Sequence, residues 1–229
     1  MGDDALLVQF EDAIEPEVNA HVNALDIALG ASDIEGIIET VPSFRALLVI
    51  YEPEILPCAQ LVTRLRSMLG QLHESTRASN RLWTIPVAFG FPDGGDLAEI
   101  SNITGLSPSG VVDAYNDTDY LVYFLGFLPG LPVLGRLPPA LQVSRRPVPR
   151  QGIPSNRVLI GGMQAFITPQ TTATGYYILG QTPFRPYDLR ANNPFMMRPG
   201  DRVRFRPISE RELEGLNDRP GTDFLTAEA

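Results

Sequence analysis

The sequence contains no lysine, and all 18 of its basic residues are arginine. This absence excludes every chemistry that needs a lysine amine: Schiff-base catalysis, attachment of pyridoxal phosphate, a biotinylated carrier lysine and the lysine-containing phosphate loop. Groups that exchange protons near neutral pH are also scarce, because the chain has only two histidines, His21 and His73, and one cysteine, Cys58. The sequence places none of the three beside a nucleophile or a base.

Other absences narrow the class of protein. A single cysteine excludes a disulfide framework and is typical of a reducing compartment. No apolar run reaches the roughly 18 residues that cross a bilayer, and the acidic start at Asp3 and Asp4 does not resemble a secretory signal. The net charge of −9 argues against a nucleic-acid-binding surface. No HExxH, CxxC, GxSxG or GxGxxG motif occurs. We expect a cytoplasmic protein that binds no metal, nucleic acid or membrane.

Acidic residues are absent from one long block. Residues 120–187 contain no Asp or Glu, but they include six arginines and ten of the 21 prolines. The block also lacks histidine and cysteine. Such a region can bind and orient an anion, but it offers no general base at neutral pH.

The first 90 residues alternate between strand-like and helix-like patterns. Apolar residues recur at helical spacing over residues 18–29 and 61–72, and short apolar runs at 5–10, 36–41, 46–51 and 82–89 are typical of strands. The order β-α-β-β-α-β predicts a ferredoxin-like α/β domain over residues 1–90.

A second domain is predicted over residues 91–208. After a Gly/Pro/Asp break at residues 92–95 come two short helices, the second with Ser107 as N-cap and Pro108 at its first position. From residue 120 the pattern is strand-like, with frequent Gly and Pro, which predicts a barrel or a sandwich. The fold class is therefore α+β, and residues 209–229 are predicted to form an acidic flexible tail.

The most distinctive local motif is the 126–130 loop, Gly-Phe-Leu-Pro-Gly. Two glycines around a proline let the backbone turn sharply and approach a ligand closely. The same pattern is also typical of an irregular crossing from a strand to a loop in a barrel.

Two further segments of the block can bind a ligand. In residues 144–150 the prolines stiffen the chain and display Arg145, Arg146 and Arg150, whose guanidinium forks suit carboxylates and phosphates. The alternative is that these arginines contact the acidic remainder of the protein. Gln164 and Thr182 offer neutral donors and acceptors suited to an amide, although each also fits an ordinary turn or strand end.

Taken in order, the motifs resemble one family, the subunit 1 family of allophanate hydrolase. The family includes the B subunit of bacterial 5-oxoprolinase and a sporulation histidine-kinase inhibitor, and its domain is known as carboxyltransferase subdomains C and D. The resemblance covers roughly residues 5–207. It rests on these residues: Ile85-Pro86-Val87, Asp96-Leu97, Gly105-Leu106-Ser107, Gly126-Phe127-x-Pro129-Gly130, Leu134-Gly135, Arg145, Pro149-Arg150, Gly180-x-Thr182-Pro183 and Pro199-Gly200-Asp201.

The resemblance implies an N-terminal α/β domain followed by a cyclophilin-like β-barrel. It also implies a partner, a subunit 2 of the C type with a related barrel, and in 5-oxoprolinase a third subunit. The complex uses ATP, whereas no cofactor is expected on this chain alone. The implied function is that of a non-autonomous subunit of an ATP-dependent amidohydrolase or carboxyltransferase acting on a small amide or lactam, such as 5-oxoproline or allophanate. The alternative is a non-catalytic regulatory protein that resembles the kinase inhibitor. Prolyl isomerisation is a third possibility that the fold alone does not support.

The chain departs from the family pattern at several positions, and three of them bear on a site. Tyr115 stands where the family has a histidine ahead of the 126–130 loop, and Arg136 and Phe166 stand where it has glycines. Losing the histidine removes a proton-transfer group, and the two larger side chains narrow any pocket there.

These observations define a hypothetical substrate site. Arg145 and Arg150 are predicted to bind an anionic group, and Gln164 and Thr182 to contact the amide. Tyr115 replaces the missing histidine as a weak hydrogen-bonding group. The floor of the pocket is predicted to consist of Gly126, Phe127, Pro129 and Gly130.

Overall fold

The computed structural model describes residues 3–72, 81–90 and 95–217, together with the backbone of residues 227–228. His73 and the predicted break at residues 92–94 lie outside the described residues. The chain divides into two compact units, Met1–Ser79 and Asn80–Ala229. The boundary between units therefore lies about ten residues before the predicted one. Within the described residues, no helix is long and apolar enough to cross a membrane.

The N-terminal unit is a three-stranded antiparallel sheet with two helices. Its core contains Val22 and Leu25 from the first helix, Leu61 and Leu65 from the second, and Leu47 from the central strand. The strands are ordered β1-β3-β2. The elements are β1 (Ala5–Gln9), α1 (Pro16–Gly30), β2 (Ile37–Pro42), β3 (Ala46–Tyr51) and α2 (Cys58–Leu69).

The strand predicted at residues 82–89 is not part of this sheet. It forms β4 (Leu82–Phe89) and pairs with strands of the second unit. Six of its eight residues are buried, and such a strand needs cover on both faces, which a small sheet with helices on one side does not give. The ferredoxin-like prediction for residues 1–90 is therefore not confirmed.

The second unit is built around a closed, mixed β-barrel of seven strands. The strand order is β11-β8-β9-β6-β5-β12-β4, and the pairing of β11 with β4 closes the barrel. β4 and β12 are parallel, while β7 and β10 form a separate ribbon. The elements after β4 are α3 (Leu97–Thr104), α4 (Pro108–Asn116), β5 (Tyr120–Leu125), β6 (Pro132–Gly135), a 3-10 turn (Pro139–Leu141), β7 (Arg150–Ile153), β8 (Arg157–Gly161), β9 (Gln164–Ile167), β10 (Thr172–Thr174), β11 (Tyr177–Gln181), β12 (Arg202–Pro207), α5 (Glu210–Asn217) and β13 (Ala227–Glu228). The predictions of an α+β chain and a barrel are confirmed.

The last described helix corrects the prediction of a flexible tail from residue 209. α5 buries Leu213 and Leu216 and contacts β4. The hydroxyl of Ser209 accepts a hydrogen bond from the backbone N–H of Glu212, as a helix N-cap does. The apolar pair, three residues apart, is a helical signal that the acidic composition of the segment concealed.

Candidate functional site

The residues predicted to form one pocket lie at two ends of the barrel. β6 runs between β5 and β9, and the 126–130 loop leads into its first residue, Pro132. At the other end of β6, Leu134 pairs with Ala165, the neighbour of Gln164. The three residue steps from Pro132 to Gly135, the last residue of β6, correspond to about 10 Å along the strand. We call these the Gly130 end and the Gln164 end of the barrel.

At the Gln164 end, three side chains form a cluster, here called the Arg145 cluster: Arg145, Gln164 and Tyr176. Arg145 Nη2 donates to Gln164 Oε1 at 3.2 Å, and the guanidinium carbon lies 4.5 Å from the centre of the Tyr176 ring. The Tyr176 hydroxyl donates to the same Gln164 oxygen. Both bonds use the oxygen of the amide, so its NH₂ group remains available as a donor.

The ring of Tyr176 fixes the position of this cluster. A Cβ atom at Gly161 would lie 2.9 Å from Tyr176 Cδ1, so only glycine leaves room for the ring there. The ring also packs edge-on against Phe166, with centroids 4.4 Å apart. Burial raises the pKa of Tyr176, and the nearby Arg145 charge lowers it to a smaller extent. The hydroxyl is therefore a protonated donor at neutral pH, and none of the three side chains of the cluster exchanges a proton there.

Arg145 is exposed, whereas the other two arginines of its segment are bound to acidic residues. Arg150 donates to both oxygens of Asp96, at 3.0 and 2.5 Å, and Arg146 donates to Asp96 Oδ1 at 3.1 Å. Within the described part of the chain, Arg145 forms no ion pair. In this structure a buried carboxylate occupies the Arg150 guanidinium, which favours a structural role, and the predicted binding of a ligand anion by Arg150 stays a prediction.

Asp96 is the centre of this network. Its side chain is 8% exposed, and Oδ2 also accepts the backbone N–H of Ile178 at 2.7 Å. Although Asp96 precedes α3, its side chain makes no capping hydrogen bond to that helix. Each carboxylate oxygen thus accepts two hydrogen bonds, which uses the full acceptor capacity of the group.

Arg146 makes further contacts that hold its segment in place. It forms a salt bridge with Glu99, and this bond raises the pKa of its guanidinium. Its guanidinium carbon also lies 4.3 Å from the centre of the Tyr177 ring, and its backbone N–H donates to Gly175 O at 2.8 Å. The alternative interpretation, contact with acidic residues, is correct for Arg146 and Arg150. Their anchoring leaves Arg145 as the exposed guanidinium of the segment.

The 126–130 loop, at the Gly130 end, has a strained backbone. Phe127 has a φ of 70° and its side chain is 81% exposed. Gly130 also has a φ of 70°, and a Cβ atom there would lie only 2.7 Å from Tyr187 Cβ. The glycine is thus required by backbone conformation and by the close approach of residues 186–187. The loop, with Gly126 and Pro129, lies away from the Arg145 cluster, so it cannot form the floor of a pocket at Arg145.

Two other predicted site residues are buried. Thr182 is fully buried, and its hydroxyl accepts the backbone N–H of Phe184 at 3.1 Å, so it supports a turn and does not face a ligand. Tyr115 is fully buried on the inner face of α4, with its ring 4.9 Å from those of Tyr120 and Phe205. Burial raises the pKa of Tyr115 well above its ordinary value. Both side chains thus belong to the core in this structure, and the ligand contacts predicted for Thr182 and Tyr115 stay predictions.

One departure from the family pattern has a local explanation. Arg136 has a φ of 67°, in the left-handed region that favours glycine, and it directly follows the last residue of β6. A glycine at this position would adopt the same turn without strain.

The role of Asp96 could not be assigned from the sequence. Its two arginine partners are 50 and 54 residues away, and no spacing rule connects them. The sequence signals are that Asp96-Leu97 is one of the motifs that carry the family resemblance, and that Asp96 and Glu99 precede an acid-free, arginine-containing block. Among the described residues, no group of three or more His, Cys, Asp or Glu side chains could hold a metal ion.

Comparisons with known proteins relate this geometry to one family. Residues 1–197 match the family described as carboxyltransferase domain, subdomain C and D. The chain is 32% identical over 228 residues to the 5-oxoprolinase B subunit of Bacillus subtilis strain 168, covering 95% of each chain. It is 36% identical over 179 residues to the protein of the same name from Escherichia coli O157:H7, covering 78% of this chain and 81% of the other. The solved structure of K. lactis urea amidolyase superposes with a TM-score of 0.80 at 18% identity, covering 99% of this chain and 16% of that one. The last match shows a shared fold.

Proposed function

Because the chain belongs to the family of carboxyltransferase domains, subdomain C and D, we propose that it is the B-type subunit of an ATP-dependent amidohydrolase or carboxyltransferase complex. Its substrate is a small amide or lactam, with 5-oxoproline the first candidate. The alignment with the B subunit of 5-oxoprolinase supports this proposal, since it covers both units of the chain.

The observation that carries the proposal is the Arg145 cluster. In this proposal, Arg145 binds a carboxylate of the substrate, and the Gln164 amide donates to the carbonyl oxygen of the amide or lactam. Tyr176 holds both side chains in position. These groups bind and orient the substrate, which is the part of catalysis that depends on placement.

In this proposal, the chemistry of the same cluster requires partner subunits. Neither a guanidinium, an amide nor a tyrosine with a raised pKa accepts a proton at pH 7. The chain also has no lysine with which to form the usual phosphate loop. In this proposal, a C-type subunit supplies the acid–base groups, and ATP is bound mainly by the other subunits of the complex.

Hydrolysis of ATP that depends on 5-oxoproline tests this proposal. We expect turnover when the chain is co-expressed with its C-type and third subunits, and none from the chain alone. Full activity from the isolated chain would contradict a shared site. Absence of turnover in the assembled complex would favour the regulatory alternative, a binding protein without catalysis.

Substitution of Arg145 tests the cluster itself. Removing a charged hydrogen-bonding partner of the substrate costs about 2–3 kcal/mol, so Arg145→Ala should lower kcat/KM by roughly 100-fold. Arg64→Ala is the matched control, because Arg64 is an exposed arginine on α2. Equal activity of the two variants would exclude Arg145 from substrate binding.

A further inference from the structure

A concave site lies at the Gly130 end of the barrel, away from the Arg145 cluster. It is a cavity of about 320 Å³ between the turn at residues 155–156, Pro169 and the segment 185–190. Its volume is at the lower end of the range for sites that bind small molecules. None of the residues that line it has a role in the function proposed above.

One wall of the cavity is the turn that contains Asn156, which has a φ of 61°. The backbone N–H of Asn156 donates to Thr168 O at 2.7 Å, and its carbonyl accepts from Thr182 N at 3.0 Å. The buried hydroxyl of Thr168 also donates to Pro154 O at 2.8 Å. These three hydrogen bonds fix the backbone of the turn, so the polar groups of Ser155 and Asn156 have defined positions.

The opposite wall, residues 185–190, is also fixed. Tyr187 packs on Gly130 through its Cβ atom, and its ring lies 5.2 Å from that of Phe195. Backbone hydrogen bonds join Asp188 N to Pro194 O at 3.0 Å and Met196 N to Pro186 O at 3.2 Å. The cavity therefore does not depend on a loose loop for its shape.

The charges around the cavity do not cancel. Arg190 and Asp188 form a two-bond pair, Nε to Oδ1 at 2.9 Å and Nη2 to Oδ2 at 2.7 Å, and this pair holds the pKa of Asp188 below its usual value. Arg185 is exposed and forms no ion pair with a described residue. One positive charge is therefore left over, and it lies at Arg185.

We propose that this cavity binds a small organic carboxylate, with the carboxylate on the Arg185 guanidinium and the apolar part of the ligand against Pro169 and Leu189. A carboxylate fits better than a phosphate, because one net positive charge matches one negative charge. The charged Asp188 carboxylate repels a dianion. The site is independent of the proposed function, since it shares no residue with the Arg145 cluster.

Titration of the ¹⁵N-labelled full chain with propionate, followed by NMR, tests the proposal. We expect saturable shifts of the Ser155 and Asn156 backbone amides and of the Arg185 Nε–H, and tighter binding of propionate than of acetate because its longer chain covers Pro169 and Leu189. Propan-1-ol, which has no charge, should cause no saturable shift. Inorganic phosphate should bind more weakly than propionate.

Two variants locate the binding group. Arg185→Gln should weaken propionate binding at Ser155 and Asn156 at least tenfold, while Arg64→Gln, which changes an exposed arginine on α2, should leave it unchanged. The proposal is overturned if propionate causes no saturable shift, if Arg185→Gln binds as well as the unaltered chain, or if phosphate binds more tightly. Amide shifts elsewhere in the barrel report whether each variant keeps its fold.

Discussion

Replacing the buried Asp96 by asparagine should destabilise the second unit. Asparagine keeps one acceptor oxygen, so it can retain the two bonds that Asp96 Oδ1 accepts. Its NH₂ group, however, would face the Oδ2 donors, Arg150 Nη2 and the backbone N–H of Ile178. Two bonds are lost, and a buried N–H is left without an acceptor.

The magnitude follows from these two losses. A hydrogen bond to a charged group contributes about 1.5–3 kcal/mol, and an unsatisfied buried donor costs about 1–3 kcal/mol. The side chains of Arg146 and Arg150 are 20% and 33% exposed, so water partly compensates for the lost charge. We therefore expect a loss of about 3 kcal/mol. With an m-value of about 2 kcal/mol/M, the urea midpoint falls by about 1.5 M.

The single tryptophan makes this measurement specific to the second unit. Trp83 lies in β4, is 6% exposed and donates from its indole nitrogen to Asp201 at 2.8 Å, so its fluorescence reports unfolding of the barrel. Asp119→Asn is the matched control. It also breaks a two-bond pair, with Arg204 at 2.7 and 2.9 Å, but the Asp119 side chain is 26% exposed and that of Arg204 51%, and a solvated pair contributes at most about 1 kcal/mol. If both variants shift the midpoint equally, the reasoning about burial at Asp96 is refuted.

Three further predictions concern single groups. Tyr115→Phe should keep or raise the thermal stability, because the Tyr115 hydroxyl is buried with no hydrogen-bond partner among the described residues. Tyr120→Phe should instead cost about 1 kcal/mol, because it loses the hydrogen bond to the Tyr115 carbonyl. Calorimetry that gave the opposite order of stability would contradict this prediction. Gly130→Ala should lower the free energy of unfolding by at least about 1 kcal/mol in the same measurement, because φ is 70° there and a Cβ atom would lie 2.7 Å from Tyr187 Cβ. An unchanged midpoint would show that the 126–130 loop moves to make room for the added methyl group. Arg190 lowers the pKa of Asp188 in the folded protein. The carboxylate therefore stabilises the fold fully above its unfolded pKa of about 3.9, and this stabilisation is lost as the pH falls through the lower folded pKa. Arg190→Gln should raise the pKa of Asp188 in a carboxyl NMR titration, and an unchanged pKa would contradict the assignment to Arg190.

The class of fold was predictable because it depends on local patterns. Short strands with frequent Gly and Pro after residue 120 indicate a barrel or a sandwich, and the family resemblance implied the barrel. The predicted N-cap at Ser107 is confirmed, with Ser107 Oγ accepting from Gly110 N at 3.1 Å. The membership of β4 was not predictable from such patterns. Its neighbours in the barrel, β11 and β12, follow it by about 90 and 120 residues, and no local sequence pattern predicts pairing at such a separation.

For the candidate site, the sequence predicted the types of residue but not their contacts. The acid-free block does carry the Arg145 cluster, and a guanidinium beside an amide is what the residue types suggested. What the sequence could not show is which arginines already have partners. Asp96 binds two of the three arginines of the segment, and Tyr115 packs in the core. Both arrangements depend on contacts between residues that lie far apart in the sequence.

The absence of lysine has a physical consequence at Asp96. The carboxylate accepts four hydrogen bonds, and Arg150 supplies two of them through a planar fork that reaches both oxygens at once. A lysine ammonium is a point charge with a strong hydration shell, so at this position it would serve the two oxygens less well and lose more on burial. The guanidinium of Arg146 meanwhile stacks on Tyr177 while it binds Asp96, which an ammonium does less well. Arginine at both positions thus anchors the segment that follows Arg145, whose own guanidinium stays exposed.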